Sequence, residues 1–287
     1  MTYDVVLFTS ITRAAVKTFG AYKCAHELRQ AGFTVLVVNF YNHFVLRELL
    51  KILDTAVGAN TLFVGFSNTF MSIQGFAQQS GFSSTIGNGM NRDRFLPHDK
   101  TDLSERAFAA HLARQNPNTK IVLGGTRTAD HIGYKLVDYA VIGYADASIV
   151  NLANHLKYGT ELLNSQRILG TKTTVIKDPL AKNFDFNSSS MTWTPDDIVV
   201  PGEVLPIEIS RGCIFKCAFC KYPHIGKSKN DYTRELEFIK EELLDNYNNF
   251  GTTSYFITDD TFNTDKEFVE AFSLMSKSLP FKLQYGA

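Results

Sequence analysis

The chain has 287 residues, 44% of them hydrophobic and 20% charged, the balance of an ordinary globular protein of about two domains. Lys plus Arg and Asp plus Glu each number 29, so the formal net charge is zero and no general attraction to nucleic acid or anionic lipid is expected. No apolar run reaches the roughly 18 residues a membrane span needs, and Asp4 stands where a signal peptide has its basic region, so neither a membrane nor a secretory destination is expected.

In chain order, Asp4–Thr9 reads as a short apolar strand and Phe19–Gln30 as a helix stopped by Ala31-Gly32. Phe33–Phe40 is a second strand, Phe44–Val57 an amphipathic helix and Thr61–Ser67 a third strand. A polar, Gly/Ser-rich insertion, 68–102, follows and reads as a lid or mobile segment, because ordinary loops are far shorter. Helix Leu103–Gln115, strand Lys120–Gly124, strand Val137–Ile142 and helix Ala147–Tyr158 complete an alternating pattern. The fold class is therefore α/β: a doubly wound, Rossmann-like parallel sheet over 1–158. Ligands bind such sheets beyond the C-terminal strand ends, which points to the edges Thr9-Ser10, Ser67-Asn68 and Gly124-Gly125-Thr126 and nominates Ser67, Gly124, Gly125 and Thr126. Residues 159–203 have little periodicity and read as a linker.

A second domain, 204–287, opens with strand Leu205–Ser210, which runs straight into Arg211-Gly212-Cys213. Helix Arg234–Phe250 carries Leu236, Ile239, Leu243, Tyr247 and Phe250 at spacings of three and four, and Gly251 stops it. Strand Ser254–Thr258 ends at Asp259-Asp260; helix Lys266–Lys277 and a strand from Lys282 to Tyr285 follow.

Three of the four cysteines, Cys213, Cys217 and Cys220, share one loop at Cx3Cx2C spacing. A cluster this tight in a chain this long points to metal and a reducing, cytoplasmic compartment, not a disulfide framework. Structural zinc sites take four ligands, and here His224 would have to complete one. Iron–sulfur cubanes also take cysteine thiolates, and three would leave one iron open to bind a cofactor directly. Glu208 alternates with Leu205, Ile207 and Ile209 as either a catalytic or a buried structural carboxylate; Arg211 either offsets thiolate charge or pairs with an acid. Cys24 reads as a small core residue of the first helix.

The segment Ile209-Ser-Arg-Gly-Cys-Ile-Phe-Lys-Cys-Ala-Phe-Cys220 resembles the signature loop of radical S-adenosylmethionine (SAM) enzymes. Its Ser-Arg-Gly-Cys lead-in resembles the subgroup with an N-terminal cobalamin-binding-type domain. The resemblance implies a 4Fe–4S cluster on Cys213, Cys217 and Cys220, SAM on the open iron, Phe219 near the adenine, and Asp259 or Asp260 toward the SAM amino group. It also implies a reductant, a 5′-deoxyadenosyl radical, and methyl transfer or rearrangement of a substrate, small-molecule or other, that the sequence does not identify. The N-terminal lines Gly20–Arg29, Ile121–Gly125 and Val137–Gly143 extend it to a cobalamin domain, with Ser67, Gly124, Gly125 and Thr126 as contacts. Two departures stand against cobalamin: Asp-x-His-x-x-Gly is absent, and Gly143-Tyr-Ala-Asp146 replaces Gly-Glu-Gly-Glu. His26, His43 and His131 are expected to be surface or packing residues, not cobalt ligands.

A full eight-unit barrel takes about 250 residues, and Val204–Ala287 spans about a third of that. Two expectations follow: a second polypeptide completes the barrel, or the chain is a fragment, whose limiting case is a non-catalytic iron–sulfur or zinc-binding remnant.

Overall fold

The computed structural model describes residues 1–9, 16–41, 44–67, 105–125, 128, 136–178, 184–213, 233–259, 261–262 and 265–286. Thr126, Cys217, Phe219, Cys220, Asp260, His43, His131 and His224 lie outside them, as does the insertion 68–102. The chain divides into two units, Met1–Asp178 and Pro179–Ala287.

Short β-branched and aromatic runs, apolar on both faces, are what a parallel sheet covered by helices on both sides requires. In the first unit they form β1 (Val5–Phe8), β2 (Val35–Val38), β3 (Phe63–Ser67), β4 (Lys120–Gly124) and β5 (Tyr139–Gly143). Two more strands, β6 (Ser165–Arg167) and β7 (Thr174–Asp178), extend the sheet to the order 2-1-3-4-5-7-6. Every pairing is parallel except that of β6 with β7. The helices are α1 (Phe19–Gln30), α2 (Leu46–Ala56), α3 (Glu105–Gln115) and α4 (Asp146–Tyr158).

Strand alternation sorts the core. Val6, Phe8, Val64 and Phe66 join Leu53 of α2 and Phe108 of α3 in one buried cluster. At its centre the Phe8 ring stacks on Phe66 at 5.3 Å and meets Phe108 edge-on at 5.6 Å. Helices α1 and α4 pack against each other as a second pair. Gly65 is required by its neighbour across the ladder: an added Cβ would stand 2.7 Å from Leu7 Cδ2. The chain leaves β1 for β2 on one side and returns to set β3 on the other. That reversal is the point at which sheets of this kind take ligands, beyond the C-terminal ends of β1 and β3.

The second unit repeats strand–helix–strand: β8 (Leu205–Ile207), α5 (Leu236–Phe250), β9 (Ser254–Ile257), α6 (Lys266–Lys277) and β10 (Gln284–Gly286). Its strands are parallel and sit in the order 10-9-8, the start of a (β/α) barrel. Ile239 and Leu243 of α5 are buried together with Leu205, Ile207, Tyr255 and Ile257 of the strands. Gly251 closes α5 in the left-handed conformation at φ +66°, where a glycine carries no Cβ penalty.

The expected linker over 159–203 is corrected. Residues 165–178 contribute two strands to the first sheet, and the boundary falls after Asp178. The second half of that stretch is a packed strap of the second unit, with Phe186, Met191 and Trp193 buried. Exposed β6 is polar throughout (Ser165-Gln-Arg167) and the strap makes its hydrogen bonds outside any regular element, so neither carries a periodic signal; the sequence signal for β7, the β-branched run Thr173-Thr-Val-Ile176, lay inside the expected linker. Among the described residues no helix is long and apolar enough to cross a membrane.

Phe8 touches three other rings, so Phe8→Ala should destabilise the first unit by about 3–5 kcal/mol, the usual cost of emptying an aromatic core site. A urea unfolding curve followed by far-UV circular dichroism would measure it.

Candidate functional site

The cysteine loop begins where β8 ends. Ile207 is the last strand residue, Ser210 forms an antiparallel bridge with Thr233, and Arg234 N donates to Ile209 O at 2.9 Å. The residues that flank the cysteine segment are thus joined in one hydrogen-bonded base. Gly212 has φ +83°, a left-handed turn that favours glycine, and it delivers half-buried Cys213 just beyond the strand end.

The end of β9 meets that base. Asp259 Oδ1 accepts from Ile209 N at 2.8 Å, while Oδ2 accepts from Ser210 N at 2.9 Å and from Ser210 Oγ at 2.7 Å. Burial pushes the Asp259 carboxyl up to about 7; the bonds from Ile209 and Ser210 pull the other way, and nearby Glu208 adds to the rise.

Glu208 and Arg211 form a two-pronged pair, Nε to Oε1 at 2.8 Å and Nη2 to Oε2 at 2.6 Å, and the guanidinium lies 4.6 Å from the centre of the Phe186 ring. Arg211 thus pairs with an acid, and Glu208 is that acid. A planar guanidinium matched to a carboxylate and stacked on a ring is held in both position and orientation.

Beneath them lies a second ion pair that the sequence pattern did not single out. Arg234 Nη2 meets Glu242 Oε2 at 2.7 Å, with both side chains almost wholly buried. Arg234 also donates Nε to Ser189 O and Nη1 to Glu208 O, each at 2.7 Å, and Glu242 Oε2 accepts from Met191 N at 3.1 Å. One arginine therefore joins the strap, the end of β8 and α5. The available signal was Glu242 itself, an acid set on the apolar stripe between Ile239 and Leu243, with an arginine just ahead of the helix.

In the first unit the nominated Ser67 and Gly124 are ladder partners at the C-terminal edge of β3 and β4. Gly125 follows at φ +101°, and its carbonyl accepts from Thr128 N at 3.1 Å. Among the described residues, a Cβ built on Gly124 would meet nothing within 4 Å. Around it are polar atoms shielded from solvent with no hydrogen-bond partner among the described residues: Thr9 Oγ1, both ends of the Asn39 amide and Thr128 Oγ1. They sit at the ends of β1 and β2 and after β4, the edge where this fold takes ligands. For Thr128 and Asn39 the sequence offers no signal beyond their position near strand ends. Cys24 is half-buried on α1, and His26 is buried there as a packing residue.

Residues 207–284 match the radical SAM superfamily model. No curated protein sequence matches the chain. The fold is similar to that of the radical S-adenosylmethionine methyltransferase TsrM from Kitasatospora setae in two solved states. One holds tryptophan substrate and the SAM analogue aza-SAM (TM-score 0.63, 14% identity, 98% of this chain and 54% of that one). The other holds cobalamin and a [4Fe–4S] cluster (TM-score 0.64, 15% identity, 99% of this chain and 56% of that one). The chain thus spans little more than half the length of that enzyme. The expected fold class holds: a Rossmann-like sheet followed by the first part of a radical SAM barrel.

Glu242→Gln should strip Arg234 of its buried counter-charge and lower the stability of the second unit by about 3–5 kcal/mol. Tryptophan fluorescence reports it, since Trp193, the single tryptophan, is buried in the strap of that unit.

Proposed function

We propose that this chain, whose residues 207–284 form a radical SAM domain, binds a 4Fe–4S cluster through Cys213, Cys217 and Cys220 and presents SAM to its open iron. The single observation that carries the reading is the family match over a segment in which Cys213 emerges from a parallel strand end, through a left-handed glycine, in a loop with three thiolates. That donor set fits an iron–sulfur cubane with one iron left for a cofactor. When bound, the cluster supplies one electron, drawn from an external low-potential reductant, that cleaves SAM to methionine and a 5′-deoxyadenosyl radical.

The protein's part is to hold and shield. Glu208 neutralises Arg211 at the mouth of the loop, and the buried Arg234 network keeps the strap against the end of β8. Phe219 and Asp260, just after β9, are the proposed neighbours of SAM, as the family resemblance implies, because both carboxylate oxygens of Asp259 are already bonded to the base of the loop.

In the first unit, the unpartnered Thr9, Asn39 and Thr128 side chains and the strand edge at Gly124 fit a large ligand with amide and hydroxyl groups, and cobalamin is the cofactor proposed there. Ser67, Gly124, Gly125 and Thr126 would line its contact edge. The similar solved enzyme is a methyltransferase, which favours methyl transfer to a small molecule over rearrangement; its tryptophan is not carried over.

After anaerobic reconstitution, the reduced protein should give a cubane EPR signal that changes when SAM is added, and C213A should abolish it. Zinc in place of iron would refute the reading; a cubane signal indifferent to SAM would assign SAM cleavage to a form containing further chain. For cobalamin, Thr128→Val should weaken hydroxocobalamin binding about fivefold in equilibrium dialysis while leaving apo-protein stability unchanged, because the lost hydroxyl has no partner among the described residues.

A further inference from the structure

We propose that Asp259 is a positioning residue: its carboxylate locks the base of the cysteine loop, so that Cys213 is held in place before iron arrives. The inference rests on the reading that this loop holds the cluster, and it adds to that reading a residue that contributes no ligand.

Four observations carry it. The carboxylate spends both oxygens on the loop base, with Ile209 N at 2.8 Å on Oδ1 and Ser210 N and Oγ at 2.9 and 2.7 Å on Oδ2. A carboxylate offers about four lone-pair sites, and three of these are filled by residues within four positions of Cys213. The competing structural duties of an acid at a strand end are already met by other residues. Asp265 caps α6, its side chain accepting from Phe268 N at 3.3 Å, and Glu208 serves Arg211. The base is also held from its far end, where Ser210 bridges Thr233 and Arg234 N bonds Ile209 O.

The physical consequence is preorganisation. The cysteine segment is a long excursion between Gly212 and Thr233, and gathering its three thiolates costs chain entropy. Fixing Ile209 and Ser210 leaves only Arg211 and Gly212 to aim Cys213, and Arg211 is itself held by Glu208. Part of the ordering is thus done by the apo fold, which strengthens the hold on the cluster. Asp259 directly follows β9, so the clamp also makes cluster retention depend on the correct seating of a neighbouring strand.

The test uses the full chain, reconstituted anaerobically, as wild type, Asp259→Asn and Ser210→Ala. Asparagine keeps the size but turns one acceptor into a donor facing the loop base. Iron release to a chelator and the EPR signal with and without SAM are the readouts, with circular dichroism checking the fold. Asp259→Asn should lose iron roughly tenfold faster than wild type, a factor in keeping with the loss of one buried charged hydrogen bond, while the remaining cluster still responds to SAM. Ser210→Ala should shift release in the same direction by a smaller factor, and it decides the matter if Asp259→Asn does not fold. Wild-type iron release in the folded Asp259→Asn protein overturns the proposal. If the SAM response is lost as well, Asp259 is a SAM contact instead. A wild-type protein that takes up no cluster would refute the underlying reading of the loop, a result distinct from either of these.

Discussion

A parallel strand can be followed by another only after the chain has crossed back over the sheet, so every strand delivers its outgoing turn to the same edge. Both units of this protein are built on that constraint. In the first, it brings Thr9, Ser67 and Gly124-Gly125 to one rim, although they come from three separate regions of the chain. In the second, it sets the end of β8, with the entry to the cysteine loop, beside the end of β9, with Asp259. The sheets are scaffolds, and the residues with chemistry are those the chain reaches just after leaving them.

The rims are finished in opposite ways. At the end of β8 the described polar side chains are committed: Glu208 to Arg211, Asp259 to Ile209 and Ser210, and Arg234 to carbonyl and carboxylate acceptors. Charges taken out of water are tolerable only when paired and hydrogen-bonded, and this dense pairing makes the base of the cysteine loop stiff. At the rim of the first unit, by contrast, side-chain atoms of Thr9, Asn39 and Thr128 have no hydrogen-bond partner among the described residues. Buried polar atoms without partners are costly, and ligand binding at that rim would recover the cost. One rim is organised to hold a loop still, the other to receive something.

Glu242 presents a different balance. Its Oε2 serves Arg234 and Met191, but Oε1 has no partner among the described residues. The nearby Tyr255 hydroxyl is pushed to a higher pKa by burial first, with the charges of Glu242 and Asp245 adding to the effect and the neighbouring Asn246 amide opposing it. A polar seam thus runs under β9 where an apolar one would carry no unmet hydrogen bonds, and it ties the strap to α5 through Arg234 and Glu242.

Local pattern alone was enough to specify most of the elements. The strand Lys120–Gly124 and the helix Lys266–Lys277 are where periodicity and stop signals put them, because each carries its own apolar rhythm and terminator. The three-cysteine spacing likewise sits within eight residues, so the resemblance to radical SAM enzymes is legible from that loop alone, and the superfamily model matches residues 207–284 around it. What the tertiary structure alone decided is long-range: that β6 and β7 join the first sheet, that 184–193 is a strap and not a linker, and that Asp259 bonds backbone fifty residues away. Strand β6 is polar because it lies at an exposed edge, and the strap has no rhythm because it bonds to side chains, so neither leaves a periodic trace. The partner of a buried charge is set by folding geometry, and an acid at a strand end looks the same in sequence whether it will meet a cofactor or a neighbouring loop.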